Sequence, residues 1–407
     1  MAATTEAAQA ARGGVDSARA WLVVAAAFLS TFSAFAVTYS FGAFFKPMAD
    51  EFHTGKGATS FVFAITTFLY FVLGLPAGRI ADRRGPKSVV LTGAAALAVG
   101  LWLTSFVSQL WVGYLTYGLG VGVAVACAYV PMVSQVGGWF ERKRASALGL
   151  AVAGIGVGTL VGPPAASALI EAYGWRTTYR IFGVVAPLLL ALCAALAARP
   201  PAALGAPPPP PLGELVRRPS FRLLYAAMLL VSPALYVPFV FLTAYAKDNG
   251  VSSGRAALLL SLIGAASTAG RLGLGTVSDR FGAFRLYGGC VLVMCASGLI
   301  WLAAGRSYAL LLVYALVMGV SYGGFIALSP AVAALVFGPA GLGGVLGALY
   351  TAAGLGGLVG PPVIGAIIDG TESYTPAILA AIALGLGGFG LLTRLGAAAG
   401  PAPSPAR

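Results

Sequence analysis

Apolar residues run through this chain in stretches of about 20, separated by short clusters of charge, glycine and proline, and a helix of that length spans a bilayer. Read against the turn and charge signals, the pattern predicts twelve spans, numbered 1 to 12: residues 21–44, 59–77, 88–107, 110–137, 144–170 and 179–198, then 222–246, 255–278, 285–304, 308–336, 342–368 and 375–395. Between spans 6 and 7 lies Arg199 to Phe221, whose proline run Pro207 to Pro211 reads as an extended spacer. The expected organisation is a tail over 1–20, a six-helix bundle over 21–198, a proline-rich linker over 199–221, a second six-helix bundle over 222–395 and a tail over 396–407.

Composition agrees with this all-α membrane class. Hydrophobic residues make up 59% of the chain and charged residues 9%, whereas a soluble globular protein carries roughly a quarter charged residues. A soluble fold of this length could not cover itself with polar side chains. The first apolar run, from Trp21, is too long for the core of a secretory signal and is expected to remain as span 1.

The formal net charge of +13 invites a nucleic-acid reading, but the basic residues sit in loops between apolar runs and form no basic face. With the N-terminus inside, seventeen lysines and arginines fall on the side of the termini and seven on the other. Positively charged loops are retained in the cytoplasm, so both termini are expected there, in a multi-pass protein of the cell membrane. Only Arg271 fits neither side.

Two motifs recur at one spacing. Gly78-Arg-Ile-Ala-Asp-Arg-Arg-Gly85 after span 2 matches Gly275-Thr-Val-Ser-Asp-Arg-Phe-Gly282 after span 8, an offset of 197 residues, and Leu160-Val-Gly-Pro-Pro164 recurs 198 residues on as Leu358-Val-Gly-Pro-Pro362. The chain reads as a duplicated six-helix unit, twelve transmembrane helices in two pseudo-symmetric bundles, the arrangement that supports alternating access.

These residues resemble the major facilitator superfamily, whose loop signature between spans 2 and 3 is similar to Gly78 to Lys87. A narrower resemblance, to the monocarboxylate transporter family and its oxalate/formate antiporter relatives, rests on three segments. They are Tyr39-Ser-Phe-Gly-Ala-Phe-Phe-Lys-Pro-Met, the stretch from Trp139 to Gly154 entering span 5, and Ala269-Gly-Arg271-Leu-Gly-Leu-Gly in span 8. The resemblance implies a secondary carrier for lactate, pyruvate or a similar short carboxylate, held by the span 8 arginine. It also implies a conformational latch of Asp82, Arg83, Asp279 and Arg280 at the helix ends. Two departures stand out. Proton-coupled members place an aspartate where this chain has Ser267, and oxalate carriers carry a span 11 lysine that Tyr350 to Gly360 lacks.

The residues themselves point the same way. Arg271 lies about 15 residues into span 8, near the bilayer midplane. A buried arginine costs about 2.5 kcal/mol or more unless it faces a cavity, a partner or a substrate. All twelve acidic residues fall in tails, loops or helix ends, which leaves a substrate carboxylate as the partner, gripped by two parallel hydrogen bonds. One asparagine and three glutamines in the whole chain are too few to pair a sugar's hydroxyls. Tyr129 and Tyr322, each shortly before a proline in a corresponding place of its half, are candidate second contacts, able to donate while presenting an apolar body. Tyr39 and Tyr350 are further candidates, and Thr38, Ile155 and Ser267 are expected to line the same cavity.

The empty arginine is costly to carry through a closed, dry state, which predicts anion exchange or proton symport. The rival readings are an oxalate/formate-type dicarboxylate antiporter and a drug or metabolite efflux pump of the same fold; interior acids, the usual proton handle of such a pump, are missing from the sequence. Short loops leave no room for a catalytic domain, so no enzyme is expected, and no cofactor. Cys127, Cys193, Cys290 and Cys295 all lie in apolar runs and His53 is the only histidine, so no metal site is expected either. The expected partners are a small organic monocarboxylate, protons if symport holds, and membrane lipid. A monomer is sufficient, and the sequence leaves the oligomeric state open.

Overall fold

The computed structural model describes residues 14, 17–140, 144–198, 212–337 and 342–398, and these are helical almost throughout. Span 1 runs as Ala18–Tyr39 and continues as Phe41–Phe52, spans 2 and 3 are Lys56–Arg84 and Pro86–Thr104, and span 7 is Pro219–Asp248. Span 8 is Ser253–Phe281, span 9 is Ala283–Ala296 with Gly298–Ala304, and spans 10, 11 and 12 are Tyr308–Phe337, Leu342–Thr371 and Tyr374–Ala398. Spans 5 and 6 form one continuous stretch, Arg144–Leu196, in which Gly174 breaks the helical geometry with φ 77°. The sequence pattern placed an eight-residue loop there; a single residue makes the turn. Among the described residues, eleven helical stretches are long and apolar enough to cross a membrane, and dividing the fifth at Gly174 gives the twelve expected spans.

Span 4 is built in pieces: Leu110–Gly113, a π-helical stretch Tyr114–Leu119, then Gly120–Ala128 and Val130–Trp139. The last break falls at Tyr129 (φ −86°, ψ −71°), where Pro131 can neither donate to the preceding turn nor clear its carbonyl. The linker also differs from expectation at its end, since Leu212–Arg217 is a short helix with Leu215 buried. The proline run lies outside the described residues.

The repeated loop motifs have a structural role that their glycines explain. Gly85 and Gly282, the last residue of each motif, close spans 2 and 8 at φ 93°, ψ 156° and φ 83°, ψ 125°. Only glycine enters that region readily. Each amide donates back to the helix it ends, to the carbonyls of Ala81 and Ser278.

Packing follows the small residues, which let helix backbones approach closely in a bilayer. Along span 5, Gly154, Gly158 and Gly162 recur at four-residue spacing against the span 1 backbone at Phe28, Phe32 and Ala36, so a methyl at any of them would clash with a carbonyl oxygen. Gly156, on another face, meets Gly264 and Thr268 of span 8. Span 11 repeats the device, with Gly356 against Ser232 of span 7 and Gly354, Gly357 and Gly365 against Phe71, Thr67 and Gly57 of span 2. The outward faces present apolar side chains such as Val99, Leu188, Leu272 and Val359, as lipid contact requires.

The two halves therefore meet along two seams, span 5 on span 8 and span 2 on span 11. On the side opposite the termini they are tied together. Lys46 pairs with Asp248 at 2.6 Å, and the Thr243 hydroxyl donates to the Gly42 carbonyl at 2.6 Å. Asp369 accepts from the amides of Lys56 and Gly57, and Lys56 lies over the Tyr374 ring. On the side of the termini, a groove of about 470 Å³ separates span 2 from spans 7 and 11. The protein is held shut at one end and parted at the other.

Candidate functional site

Arg271 sits ten residues before the end of span 8, roughly 15 Å from it. Its Nη1 donates to the Val152 carbonyl of span 5 at 3.1 Å, across the seam between the halves. Its Nε is buried and has no hydrogen-bond partner, and the guanidinium stands 5.8 Å from the centre of the Tyr322 ring. Both ion pairs among the described residues, Lys46–Asp248 and Arg176–Glu51, lie at the far side, so no described carboxylate reaches Arg271. One turn earlier on the same helix, the Ser267 hydroxyl is also buried without a partner. Two adjacent polar groups thus remain unsatisfied in a buried place. Such groups cost about 1–3 kcal/mol each unless something pairs with them.

An aromatic wall stands beside this pair. The Tyr39 and Tyr322 hydroxyls are 3.2 Å apart and join span 1 of one half to span 10 of the other. Tyr39 stacks on Phe239 at 4.4 Å, and Phe239 meets Tyr322 edge to face at 5.5 Å. Tyr129 meets Phe35 edge to face at 5.5 Å, and Phe35 in turn packs on Tyr39. Of the sequence candidates, Arg271, Ser267, Tyr322, Tyr39 and Tyr129 come together in this way.

The others are placed differently. The Thr38 hydroxyl donates to the Ala34 carbonyl of its own helix at 2.8 Å and is engaged there. Ile155 is buried on span 5, one turn from Val152. Tyr350 lies against Phe71, 6.0 Å between ring centres, in the crevice between spans 11 and 2. Asp82, Arg83, Asp279 and Arg280 fall within spans 2 and 8, but their side chains lie outside the described residues.

Sequence reasoning missed Tyr236, Phe239 and the Val152 carbonyl. Tyr236 is buried on span 7, and its ring meets Phe63 at 6.4 Å between centres, as that of Tyr39 does at 6.5 Å. A signal for it existed, since Tyr236 stands one repeat on from Tyr39 at the same offset of 197 that separates the loop motifs. No sequence signal marks a backbone carbonyl such as that of Val152. It becomes an arginine partner only because spans 5 and 8 cross at glycines.

A fold of twelve apolar spans in two related halves, with a buried arginine at their seam, is that of a membrane transporter rather than an enzyme. The family model of the Major Facilitator Superfamily matches residues 27–306 and 234–407. Monocarboxylate transporter 3 of Rattus norvegicus is 32% identical over 379 residues, covering 89% of this chain and 76% of that protein. Monocarboxylate transporter 12-B of Danio rerio is 28% identical over 428 residues, covering 94% and 87%. Among solved structures, a bacterial homologue of the human lysosomal transporter Spinster, in an inward-facing and occupied conformation, superposes with a TM-score of 0.74 at 16% identity, covering 95% of this chain and 98% of that one. The chain belongs to the Major Facilitator Superfamily and, within it, to the monocarboxylate transporter family.

Proposed function

We propose that the protein is a secondary active carrier of short monocarboxylates of the lactate and pyruvate kind, working by alternating access in the cytoplasmic membrane with both termini inside. The observation that carries this reading is Arg271, whose buried Nε is unpartnered beside the unpartnered Ser267 hydroxyl. A carboxylate has two oxygens to offer, and a guanidinium presents its donors as a fork that fits them. One oxygen taken by Arg271 and the other shared with Ser267 would satisfy both groups together. The aromatic wall of Tyr39, Phe239 and Tyr322 suits a short carbon skeleton and offers few further hydrogen bonds. The names of the relatives support the same substrate class.

The rocking units in this reading are residues 21–198 and 222–395, and Asp82, Arg83, Asp279 and Arg280 latch the cytoplasmic side when it closes. Coupling follows from the arginine. Without a carboxylate, its charge disfavours the closed intermediate, so transport proceeds as exchange or as symport with a proton. Ser267 cannot carry that proton, because a hydroxyl does not ionise near neutral pH.

The test is uptake of labelled L-lactate and pyruvate into proteoliposomes, with and without an inward proton gradient and internal unlabelled acid, for wild type and Arg271→Gln. Saturable uptake that the substitution abolishes is the expected result. Failure to carry either acid, or equal transport by Arg271→Gln, rejects the substrate assignment. Fast net flux with neither protons nor counter-substrate rejects the coupling.

A further inference from the structure

The groove on the side of the termini crosses the boundary between the two halves. Phe71, Val72 and Leu75 of span 2 form one wall, and Gly347 of span 11 and Phe221 of span 7 face them. Val216 of the short helix Leu212–Arg217 lines one end and is half exposed. At about 470 Å³ the groove is as large as the cavities that take whole organic ligands, roughly 300–1,000 Å³. Its lining is almost wholly apolar, and Val72 is 37% exposed. Among the described residues of the lining, Arg222 is the only charged side chain.

Charge is gathered at this place. Arg217, Arg218 and Arg222 are all exposed, and the Arg222 Nη2 turns back to the Arg217 carbonyl at 3.4 Å. Glu214, also exposed, is the one acid in this stretch, which leaves it a net charge of +2. An apolar slot topped by arginines is complementary to a molecule with a long hydrocarbon chain and an anionic head. In a membrane that molecule is a phospholipid, and the cytoplasmic leaflet is where basic juxtamembrane clusters meet anionic headgroups.

We propose that the groove between spans 2, 7 and 11 is a binding site for an anionic phospholipid, one acyl chain lying along Phe71, Val72 and Leu75 and the headgroup held by Arg217, Arg218 and Arg222. Because its walls belong to opposite halves, the site exists while they are parted on this side. Bringing span 2 onto span 11 would expel the chain. Bound lipid therefore favours the conformation seen here and slows its conversion to the opposite one. The site is separate from Arg271 and does not depend on which substrate is carried.

The experiment uses the full chain in detergent, with phosphatidylglycerol and phosphatidylcholine of identical acyl chains. Native mass spectra are expected to retain one phosphatidylglycerol on the wild type, and heat stability to rise with that lipid and not with phosphatidylcholine. Replacing all three arginines by glutamine weakens retention, about fivefold per charge. Val72→Trp fills the slot while keeping every charge and also loses the lipid. Equal retention of phosphatidylcholine overturns the proposal, as does undiminished retention by Val72→Trp, which would mean adsorption to the arginines alone. Independently of any variant, phosphatidylglycerol with a photoreactive acyl chain is expected to crosslink the unaltered protein at residues 71–75 and 347–351. Labelling confined to other segments overturns the proposal.

Discussion

Asp369 of span 11 caps span 2 across the boundary between the halves, its two carboxylate oxygens accepting from the backbone amides of Lys56 at 2.8 Å and Gly57 at 2.9 Å. The residue that precedes span 2, Gly55, has no side chain to cap the first turn, so the opposite half supplies the acceptor. A negative charge there also meets the positive end of the helix dipole. The bond can persist only while the far side is shut.

Asp369→Asn keeps one acceptor oxygen but sets an amide donor against an amide donor. Loss of a helix cap costs about 1 kcal/mol, so the population closed on this side is expected to fall about fivefold relative to the opposite state. Distances between spin labels at the far ends of spans 2 and 11 check this, and an unchanged distribution would show that the cap does not bias the equilibrium.

The Tyr39 and Tyr322 hydroxyls form the corresponding link near the site. Tyr39→Phe and Tyr322→Phe are each expected to alter substrate affinity, and the double variant to alter it by less than their sum. The coupling energy should be about 0.5–1.5 kcal/mol. Strictly additive effects in the cycle would show that the two hydroxyls act apart.

Arg271→Lys tests whether charge or fork geometry matters. Lysine keeps the charge but cannot bond both oxygens in parallel, so uptake is expected to survive with affinity lowered at least about tenfold, while Arg271→Gln has none. Identical kinetics for lysine and arginine would remove the bidentate contact from the site.

Gly264 and Gly254 offer a contrast within one helix. A methyl on Gly264 would stand 2.8 Å from the Gly156 carbonyl oxygen and 2.9 Å from the Leu160 amide, both backbone atoms, whereas one on Gly254 meets nothing within 4 Å. Gly264→Ala is expected to cost about 1–3 kcal/mol by prising span 5 from span 8, and Gly254→Ala to stay within about 0.5 kcal/mol of wild type. Thermal unfolding in detergent measures both.

Much of this architecture is local and was legible beforehand. An apolar run long enough to cross a bilayer has to become a helix there, because lipid offers its amides and carbonyls no other partner. Charge at the loops and the repeated motifs then lead to twelve spans in two related halves. Arg271 was recognisable for the same reason, as a charge inside an apolar run with no acid in any other. The turn at Gly174 was missed because a single left-handed glycine makes it, where the pattern suggested a loop. The helix over Leu212–Arg217 was missed because the neighbouring prolines dominated the reading of the linker.

Which candidates share a site could not be read from the sequence. Thr38 is one residue from Tyr39, yet its hydroxyl is spent on its own helix while that of Tyr39 reaches Tyr322. The difference is about 100° of helical rotation. Only the crossing of spans 1, 7 and 10 decides which side faces the other half. The Val152 carbonyl beside Arg271, the Asp369 cap on span 2 and the groove between spans 2, 7 and 11 likewise exist only between helices far apart in the chain. Sequence thus determined which segments enter the membrane and where the buried charge lies, since both follow from transfer between water and lipid residue by residue. Tertiary structure alone decided what that charge faces and which end of the carrier is shut, since both depend on the packing of one half against the other.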